Sequence, residues 1–525
     1  MRLVRLLLLL AAVLAAVLLP AGSALALSYP VTSTTDSDAK GTLRASIKEA
    51  NAHTGADSIP IEVTGTIELG SALQVLFDPV SIIGPGADQL EVRRAGPSDF
   101  EVFGFTTDAN PSSLTGLTVS NGHAAYGAGI RNSEGSLTLT GVVVRGNEAA
   151  VEGGTQGAEG GGIYSDGPLT LRETVVSGNA ARASDGSALT KALGGGVVAS
   201  TMLTMEASTI SGNVAEAGGD GTVTTAQGGG LLAGTEAAIT RSTISGNAVV
   251  AEGAAPQIRA QGGGIQTYEA TIAASTLAGN SATSAGLALG ANLHSVLSTS
   301  VRGTLVADPL GGAGSCSGGG PPGSEQIFSE GFNLDEDGSC EFGESSDLVG
   351  VAAGLDPVLR DNGGPTPTHA LLAGSIAIDR GNSFGDTTDQ RGLPRPSDFP
   401  DVSNKEGGDG SDIGAFELQV PAPKQGPPVF VSEVPADRTP PNTRILSGPP
   451  RNTFKPRAKF RFASTEPQSH FQCKLDKRKW KACTSPFKRS VKPGKHLFKV
   501  RAIDRFGNVD PTPARFGWRV KPIVG

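Results

Sequence analysis

The sequence predicts an all-β protein in which a parallel β-solenoid precedes a small β-sandwich. Three observations predict this fold class. The 525 residues include 73 glycines and 34 prolines but only 5% aromatic residues, a composition typical of turn-rich β proteins. Five segments of similar sequence recur between positions 137 and 280. Positive charge is concentrated in residues 438–525, which marks them as a separate domain.

Residues 1–26 have the features of an export signal. Arg2 and Arg5 precede an apolar run over residues 6–19, and small residues at 24–26 provide a cleavage site. We therefore expect the mature chain to begin near Leu27 and to be secreted or attached to the cell surface. An uncleaved anchor is the weaker alternative, because the apolar run is shorter than the ~20 residues that span a membrane.

Residues 27–418 contain the repeats and predict the solenoid. The aligned segments are LTLTGVVVRGN (137–147), LTLRETVVSGN (169–179), LTMEASTISGN (203–213), AAITRSTISGN (237–247) and ATIAASTLAGN (270–280). Their third and eighth residues are apolar in every copy, and the alternation of apolar and polar residues indicates short strands. One repeat cannot bury its own apolar face, so the copies must stack with strands ~4.8 Å apart.

Glycine motifs frame the repeats. GGG, or GAG in the first copy, precedes each segment, and each segment ends in Gly-Asn. We expect the Gly-Asn pairs to form one turn of each coil, with the asparagine amides hydrogen-bonded along the axis. Insertions follow the first four of these asparagines, at 148–159, 180–193, 214–227 and 248–261. They should project from one edge, either as a binding face or as tolerated surface loops.

Other segments are expected to cover the ends of the solenoid. Residues 41–50 predict a short capping helix with Thr42 near its start. A disulfide-closed loop and residues 355–417 are expected at the opposite end. A proline-rich linker is predicted over residues 419–437.

The four cysteines form two local pairs in the sequence. Cys316 with Cys340, and Cys473 with Cys483, have spacings that suit disulfides in an exported protein and do not match metal sites.

Residues 438–525 predict a basic immunoglobulin-like β-sandwich, because short alternating segments are separated by turns. They hold 22 Lys and Arg against 4 Asp and Glu, whereas the rest of the chain holds 21 against 47. Such charge should attract anionic cell-surface polymers, polysaccharides or anionic lipid surfaces; the alternative is a merely solvated surface. The candidate polyanion-binding residues are Lys477, Arg478, Lys479, Lys481, Lys488 and Arg489. No base-reading motif predicts specific nucleic-acid binding, and we expect a monomer.

Several motifs resemble known bacterial families. VTSTTDSDAKGTLRASIKEANA (31–52) resembles the start of right-handed parallel β-helix proteins of the CSLREA type, and the glycine-framed repeats resemble those of polymorphic outer-membrane proteins. GFNLDEDGSCEF, DNGGPTPTHALLAGSIAIDRGN, DQRGLPRP and DIGAFE together resemble the choice-of-anchor Q domain, with Ile376 in place of the usual proline and Ser411 where cysteine often stands. The C-terminal residues resemble bacterial Ig-like modules. The resemblance implies a right-handed β-helix in an exported surface protein without a defined reaction.

The predicted function is non-enzymatic adhesion, or glycan or cell-wall binding. Because parallel β-helices also include polysaccharide lyases and glycoside hydrolases, catalysis in the solenoid groove is the main alternative. No cluster of carboxylates stacks on the outward columns; Arg172 and Glu206, on successive rungs, should form only a surface ion pair. A third alternative is a structural surface-layer or spore-coat component.

Three further groups of residues carry side chains that can bind metals or transfer protons. Asp335 and Asp337 are weak candidate Ca²⁺ ligands, against the alternative of a capped polar turn, and no other cofactor is predicted. His369 has no identifiable nucleophile partner in the sequence, so we expect a packed or surface histidine. A buried structural network is expected from Asp379, Asp389, Arg391 and Asp412.

Overall fold

The computed structural model describes residues 26–106, 111–153, 157–185, 188–319, 326–420, 439–466, 469–504 and 507–522. Apart from a few residues, the predicted export signal (1–26) and linker (419–437) lie outside these ranges. The chain divides into two compact units, Met1–Pro423 and Lys424–Gly525. Within the described ranges, no helix is long and apolar enough to cross a membrane.

The helix predicted near the N-terminus covers Leu43–Asn51 and is labelled α1. Thr42 is its N-cap, and the Thr42 side chain accepts a hydrogen bond from the backbone N–H of Ala45. Its apolar face, which includes Ile47, packs into the same core as the first coil of strands. The helix therefore covers the N-terminal end of the solenoid core.

Two long parallel sheets enclose the main core. Sheet I consists of Asp57–Pro60, Val80–Ile83, Phe103–Phe105, Ser112–Thr115, Ile130–Asn132, Leu137–Thr140, Ile163–Ser165, Leu169–Arg172, Val197–Ala199, Leu203–Glu206, Leu231–Thr240, Ile265–Ala273, Leu293–Arg302, Cys316–Gly318 and Ile327–Ser329. Sheet II consists of Gly65–Leu69, Leu90–Arg94, Thr118–Ser120, Val143–Arg145, Val175–Ser177, Thr209–Ser211, Thr243–Ser245, Thr276–Ala278, Leu305–Ala307, Leu334–Asp335 and Leu348–Val349.

The repeats pair in the register that their alignment predicts. Leu171 pairs with Leu139 on one side and Met205 on the other, and Val176 pairs in the same way with Val144 and Ile210. All six side chains are fully buried because alternate residues of each strand point into the core. The parallel β-solenoid predicted from the sequence is confirmed.

The insertions form a second lobe, which we call the flange, made of two further parallel sheets. Sheet III consists of His123–Ala124, Glu148–Glu152, Ala180–Asp185, Val214–Gly219, Ala248–Gly253 and Ser281–Ser284. Sheet IV consists of Ala158–Glu159, Leu189–Leu193, Val223–Gln227, Gln257–Gln261 and Leu287–Leu289.

The flange corrects one of the two alternatives, that the insertions are merely tolerated surface loops, because they form strands. Its core is almost entirely alanine, with Ala181, Ala183 and Ala192 from one insertion and equivalent residues from the others. Alanine at every second position leaves a small, flat apolar face on each strand. Two such faces pack together, so each insertion adds two strands to the stack.

Asparagine side chains connect the coils where each coil leaves the main core. The Nδ2 of Asn147 donates to Asn179 Oδ1, Asn179 to Asn213, Asn213 to Asn247 and Asn247 to Asn280, each at 2.9 Å. The preceding glycines have the predicted positive φ, for example 63° at Gly178. The predicted asparagine ladder is confirmed.

The C-terminal end of the solenoid differs in part from the prediction. The Cys316–Cys340 disulfide forms, and both half-cystines pack with Phe342 into the main core, so the disulfide-closed segment covers this end as predicted. Residues 355–417 instead lie along the outer face of sheet II. The reason is that the outward side chains of the last rungs of sheet II, such as Leu305 and Leu334, are apolar. Their burial against residues 355–417 removes this apolar surface from water.

The C-terminal unit is the predicted β-sandwich. Sheet V consists of Thr443–Ser447, Arg457–Ser464 and Phe487–Ser490, and sheet VI of Asn452–Thr453, His470–Leu475, Lys481–Cys483, Gly494–Ile503 and Ala514–Val520. The pairs are antiparallel, except that Asn452–Thr453 pairs in parallel. Phe460 of sheet V stacks on Phe498 of sheet VI with ring centroids 4.1 Å apart, and Cys473 is bonded to Cys483.

Candidate polyanion-binding surface

The six basic residues singled out in the sequence do not form one surface. Lys477, Arg478 and Lys479 lie in the turn after His470–Leu475, and Lys481 begins the next strand of sheet VI. Lys488 and Arg489, in contrast, belong to sheet V, on the other side of the sandwich. All six side chains are exposed.

A different row of basic residues crosses three neighbouring strands of sheet VI. Lys499 pairs directly with Lys474 on one side and with Arg515 on the other. Their chain neighbours, among them Cys473 and Val500, are buried in the core, so all three basic side chains point outward. We call Lys474, Lys499 and Arg515 the cation row; adjacent strands place its members about 5 Å apart.

Among the described residues, the cation row has no carboxylate partner. The eight strands described for this unit contain no Asp or Glu, and the acidic residues occupy the connections. There they bind local groups: Asp476 Oδ2 lies 2.9 Å from His496 Nδ1, and Asp510 accepts the backbone N–H of Thr443 at 2.9 Å. Like charges directly opposite one another destabilise a sheet, and a bound anion would relieve this repulsion.

An aromatic side chain lies beside the cation row. Arg501 donates from Nε and Nη2 to Gln472 Oε1 at 3.0 and 2.7 Å, and its guanidinium lies 4.6 Å from the centre of the Trp480 ring. These contacts hold Arg501 and Trp480 in place on the outward face, so a further cation lies beside the cation row.

Sequence reasoning missed the cation row because it depends on strand register. Lys474, Lys499 and Arg515 lie in three separate strands, and only their pairing brings them together. The period-two alternation of residues 494–503 and 514–520 was the available signal, since it puts their basic residues on one face.

Asp335 and Asp337, the predicted Ca²⁺ ligands, lie in the disulfide-closed segment. Asp335 is fully buried beside the core column of sheet II and accepts the Cys340 N–H at 2.8 Å. Asp337 accepts the Ser315 N–H at 2.9 Å and the Ser339 hydroxyl at 2.7 Å. Burial raises the pKa of Asp335 to about 7. Among the described residues, no three His, Cys, Asp or Glu side chains converge as metal ligands, so the Ca²⁺ site stays a prediction.

The predicted Arg172–Glu206 ion pair is present on the solenoid, with 3.7 Å between Nε and Oε2. Glu206 also pairs with Arg241 on the next rung. These residues line a groove of about 330 Å³ between the turns of the solenoid and residues 388–392. Glu206 is thus held between two arginines, as expected for a structural pair.

The flange also carries charged residues on its outer face. Arg182 Nη1 lies 2.9 Å from Glu148 Oε1, and Arg182 Nε lies 3.1 Å from Glu216 Oε2. With Glu152 and Glu252 they line a groove of about 560 Å³ on sheet III. The edge of the solenoid that holds the insertions is therefore acidic in character.

Asp379, Asp389, Arg391 and Asp412 belong to a buried network, as expected. Arg391 Nη2 lies 2.7 Å from Asp389 Oδ2, and its guanidinium lies 3.7 Å from the centre of the Phe416 ring. Asp412 accepts the backbone N–H of Asp379 at 2.9 Å. Burial, with the nearby Glu417 carboxylate, raises the pKa of Asp412 to about 8. Glu417 also binds Arg395 at 2.9 Å, a pair that sequence analysis did not single out.

His369 is a packed histidine, as expected by default, but it has a hydroxyl partner that the sequence analysis did not identify. The Nε2 of His369 lies 2.7 Å from Ser245 Oγ, and its Nδ1 lies 2.7 Å from the carbonyl oxygen of Asp356. Both side chains are buried where residues 355–417 cover sheet II, and burial lowers the pKa of His369. The pair holds the two layers together.

Comparisons with known proteins add no family to this description. No protein-family model matches the chain, and no curated protein is significantly similar to it in sequence.

Proposed function

We propose that the protein is exported and acts without catalysis at the cell surface, where its C-terminal sandwich binds a linear anionic polymer. The observation that carries the proposal is the cation row, Lys474, Lys499 and Arg515, on a face whose strands contain no carboxylate. The two disulfides suit an oxidising extracellular environment. The motifs that resemble CSLREA, choice-of-anchor Q and Ig-like proteins also favour surface placement.

The ligand is a polymer that presents carboxylates or phosphates at regular intervals. Such a chain lies across the strands, so that successive anions meet the cations of successive strands about 5 Å apart. Trp480 offers an apolar ring beside Arg501 for the face of a sugar. Binding should weaken steeply with salt, because each charge contact releases a counterion.

The test measures binding of the full mature chain to polygalacturonate, inorganic polyphosphate, neutral dextran and duplex DNA across a salt gradient. The first two probes distinguish carboxylate from phosphate polymers. We expect nanomolar to micromolar binding to at least one of them and none to dextran. Binding of DNA more tightly than both would overturn the assignment to a cell-surface polymer.

Two charge-matched variants locate the site. The triple variant K474Q/K499Q/R515Q removes the cation row, and K477Q/R478Q/K479Q removes the same charge from the adjacent turn. We expect at least a tenfold loss of affinity for the first variant and a smaller loss for the second. For each lost contact, the slope of the logarithm of the binding constant against the logarithm of the salt concentration should decrease by about one. Equal losses would show that net charge alone binds the polymer.

Catalysis in the solenoid groove is tested in the same incubation. Reducing-end or unsaturated products from polygalacturonate with Ca²⁺ would favour a polysaccharide hydrolase or lyase over the proposed function. Glu206 and its two arginines would then be the first residues to substitute, since they line the groove.

A further inference from the structure

Sheet V carries a second basic face. Lys459 and Lys488 are directly opposite each other on two antiparallel strands, and Arg457 and Arg461 occupy outward positions on the same strand as Lys459. All four side chains are exposed, and the alternate residues, such as Phe460, are buried. We call Lys459 and Lys488 the opposed lysine pair.

The opposed lysine pair repeats the electrostatic pattern of the cation row. The described strands of sheet V contain no Asp or Glu, and neither Lys459 nor Lys488 forms an ion pair in the described part of the chain. The two ammonium groups repel each other across the sheet, so an anion bound between them lowers the repulsion.

The two basic faces point in opposite directions. Phe460 of sheet V and Phe498 of sheet VI stack at 4.1 Å in the core between the sheets, and Trp518 contacts Phe460 from sheet VI. Because both sheets turn their apolar sides to this core, their basic sides face away from each other. A stiff linear polymer bound on one face therefore does not reach the other.

We propose that the sandwich is bivalent: it binds one anionic polymer chain on the cation row of sheet VI and a second on the opposed lysine pair of sheet V, and so cross-links them. This inference rests on the proposed function. Cross-linking raises retention by avidity, since a protein held by two chains leaves only when both contacts break.

The experiment mixes polygalacturonate chains labelled with a donor dye and chains labelled with an acceptor dye, and adds the full mature protein below saturation. Energy transfer reports that two chains are bridged, and fluorescence anisotropy of one labelled chain reports binding alone. The wild-type protein should give both signals. Binding without energy transfer would overturn bivalency and leave the proposed function intact, whereas no binding would overturn the proposed function itself.

Variants assign the bridging to the two faces. K459Q/K488Q should bind with at most a threefold loss of affinity but lose at least 80% of the energy transfer, and K474Q/K499Q should also lose bridging. The control K455Q/K492Q removes the same charge from two exposed connections between strands and should keep it. Bridging by K459Q/K488Q at the wild-type level would overturn the proposal, because the second contact would then come from self-association or from another surface. Thermal unfolding of each variant verifies that the sandwich remains folded.

Discussion

Gly196 lies directly against Asn213: a β-carbon on Gly196 would stand 2.9 Å from the side-chain amide of Asn213. Gly196 is where the chain enters the main coil from the flange, and Asn213 is where it leaves again. The same contact joins Gly162 to Asn179 and Gly230 to Asn247. The GGG and Gly-Asn motifs, which are separate in the sequence, therefore contact each other at the point where the chain passes between the flange and the main coil.

Gly196→Ala should destabilise the solenoid by about 2 kcal/mol, because its methyl group would meet Gly230 O at 2.6 Å as well as Asn213. Gly218→Ala is the matched control, since nothing lies within 4 Å of the added carbon on sheet III. Urea unfolding of the full chain measures both. Equal stability of the two variants would contradict the steric account of the triple glycine.

Glu173→Gly should stabilise the protein by about 0.5–1 kcal/mol. Glu173 is exposed and has a φ of 48°, in the left-handed region, whereas the preceding coil places Gly141 at this turn with a φ of 59°. Removing the β-carbon relieves the free-energy cost of the left-handed backbone. This gain is larger than the free energy lost because glycine gives the unfolded chain more conformational entropy. Glu173→Ala, which keeps the β-carbon, should show no gain in thermal unfolding; a gain there would assign the effect to the lost side chain.

Asp335→Asn should change how stability depends on pH. Burial raises the pKa of Asp335 to about 7 in the folded chain, so the folded state keeps a proton that the unfolded state loses near pH 4. The free energy of unfolding therefore falls as the pH rises from about 4 to 7. The neutral asparagine removes this fall, and we expect the variant to be more stable than the wild type by roughly 1–3 kcal/mol at pH 8.

Urea unfolding at pH 4, 6 and 8 measures the effect of Asp335→Asn, with Glu134→Gln as an exposed control. Parallel pH profiles for Asp335→Asn and the wild type would refute the assignment. The same titration with Ca²⁺ tests the predicted ligand role, because a bound cation would favour the ionised carboxylate and flatten the wild-type profile.

Gln390→Ala should loosen the layer that covers sheet II. Gln390 is fully buried; its Nε2 donates to Thr209 Oγ1 at 2.9 Å, and its Oε1 accepts the Thr243 hydroxyl at 2.6 Å. Truncation removes both hydrogen bonds and leaves a cavity beside the Thr243 hydroxyl, which loses its acceptor, at a cost of about 2–4 kcal/mol. The Thr209 hydroxyl keeps its hydrogen bond to the carbonyl oxygen of Pro367. Hydrogen exchange should show faster exchange in residues 355–417 and unchanged exchange in the flange. Uniformly faster exchange would mean that this layer does not open separately.

The sequence by itself determined the coils of the solenoid. Equivalent residues of successive repeats are bonded neighbours, so an alignment such as Leu139 with Leu171 is already a strand register. The capping helix, the asparagine ladder and the two disulfides follow from equally local patterns. Each depends on contacts that repeat at a fixed spacing or lie close along the chain.

Only the tertiary structure decided which distant segments meet. The Ser245–His369 contact joins residues 124 positions apart, and residues 355–417 cover the side of the solenoid rather than its end. The cation row exists because antiparallel pairing aligns Lys474, Lys499 and Arg515, and a shift of one residue would turn one of them toward the core. Composition showed that the C-terminal unit is basic, but register and packing set where its charges point.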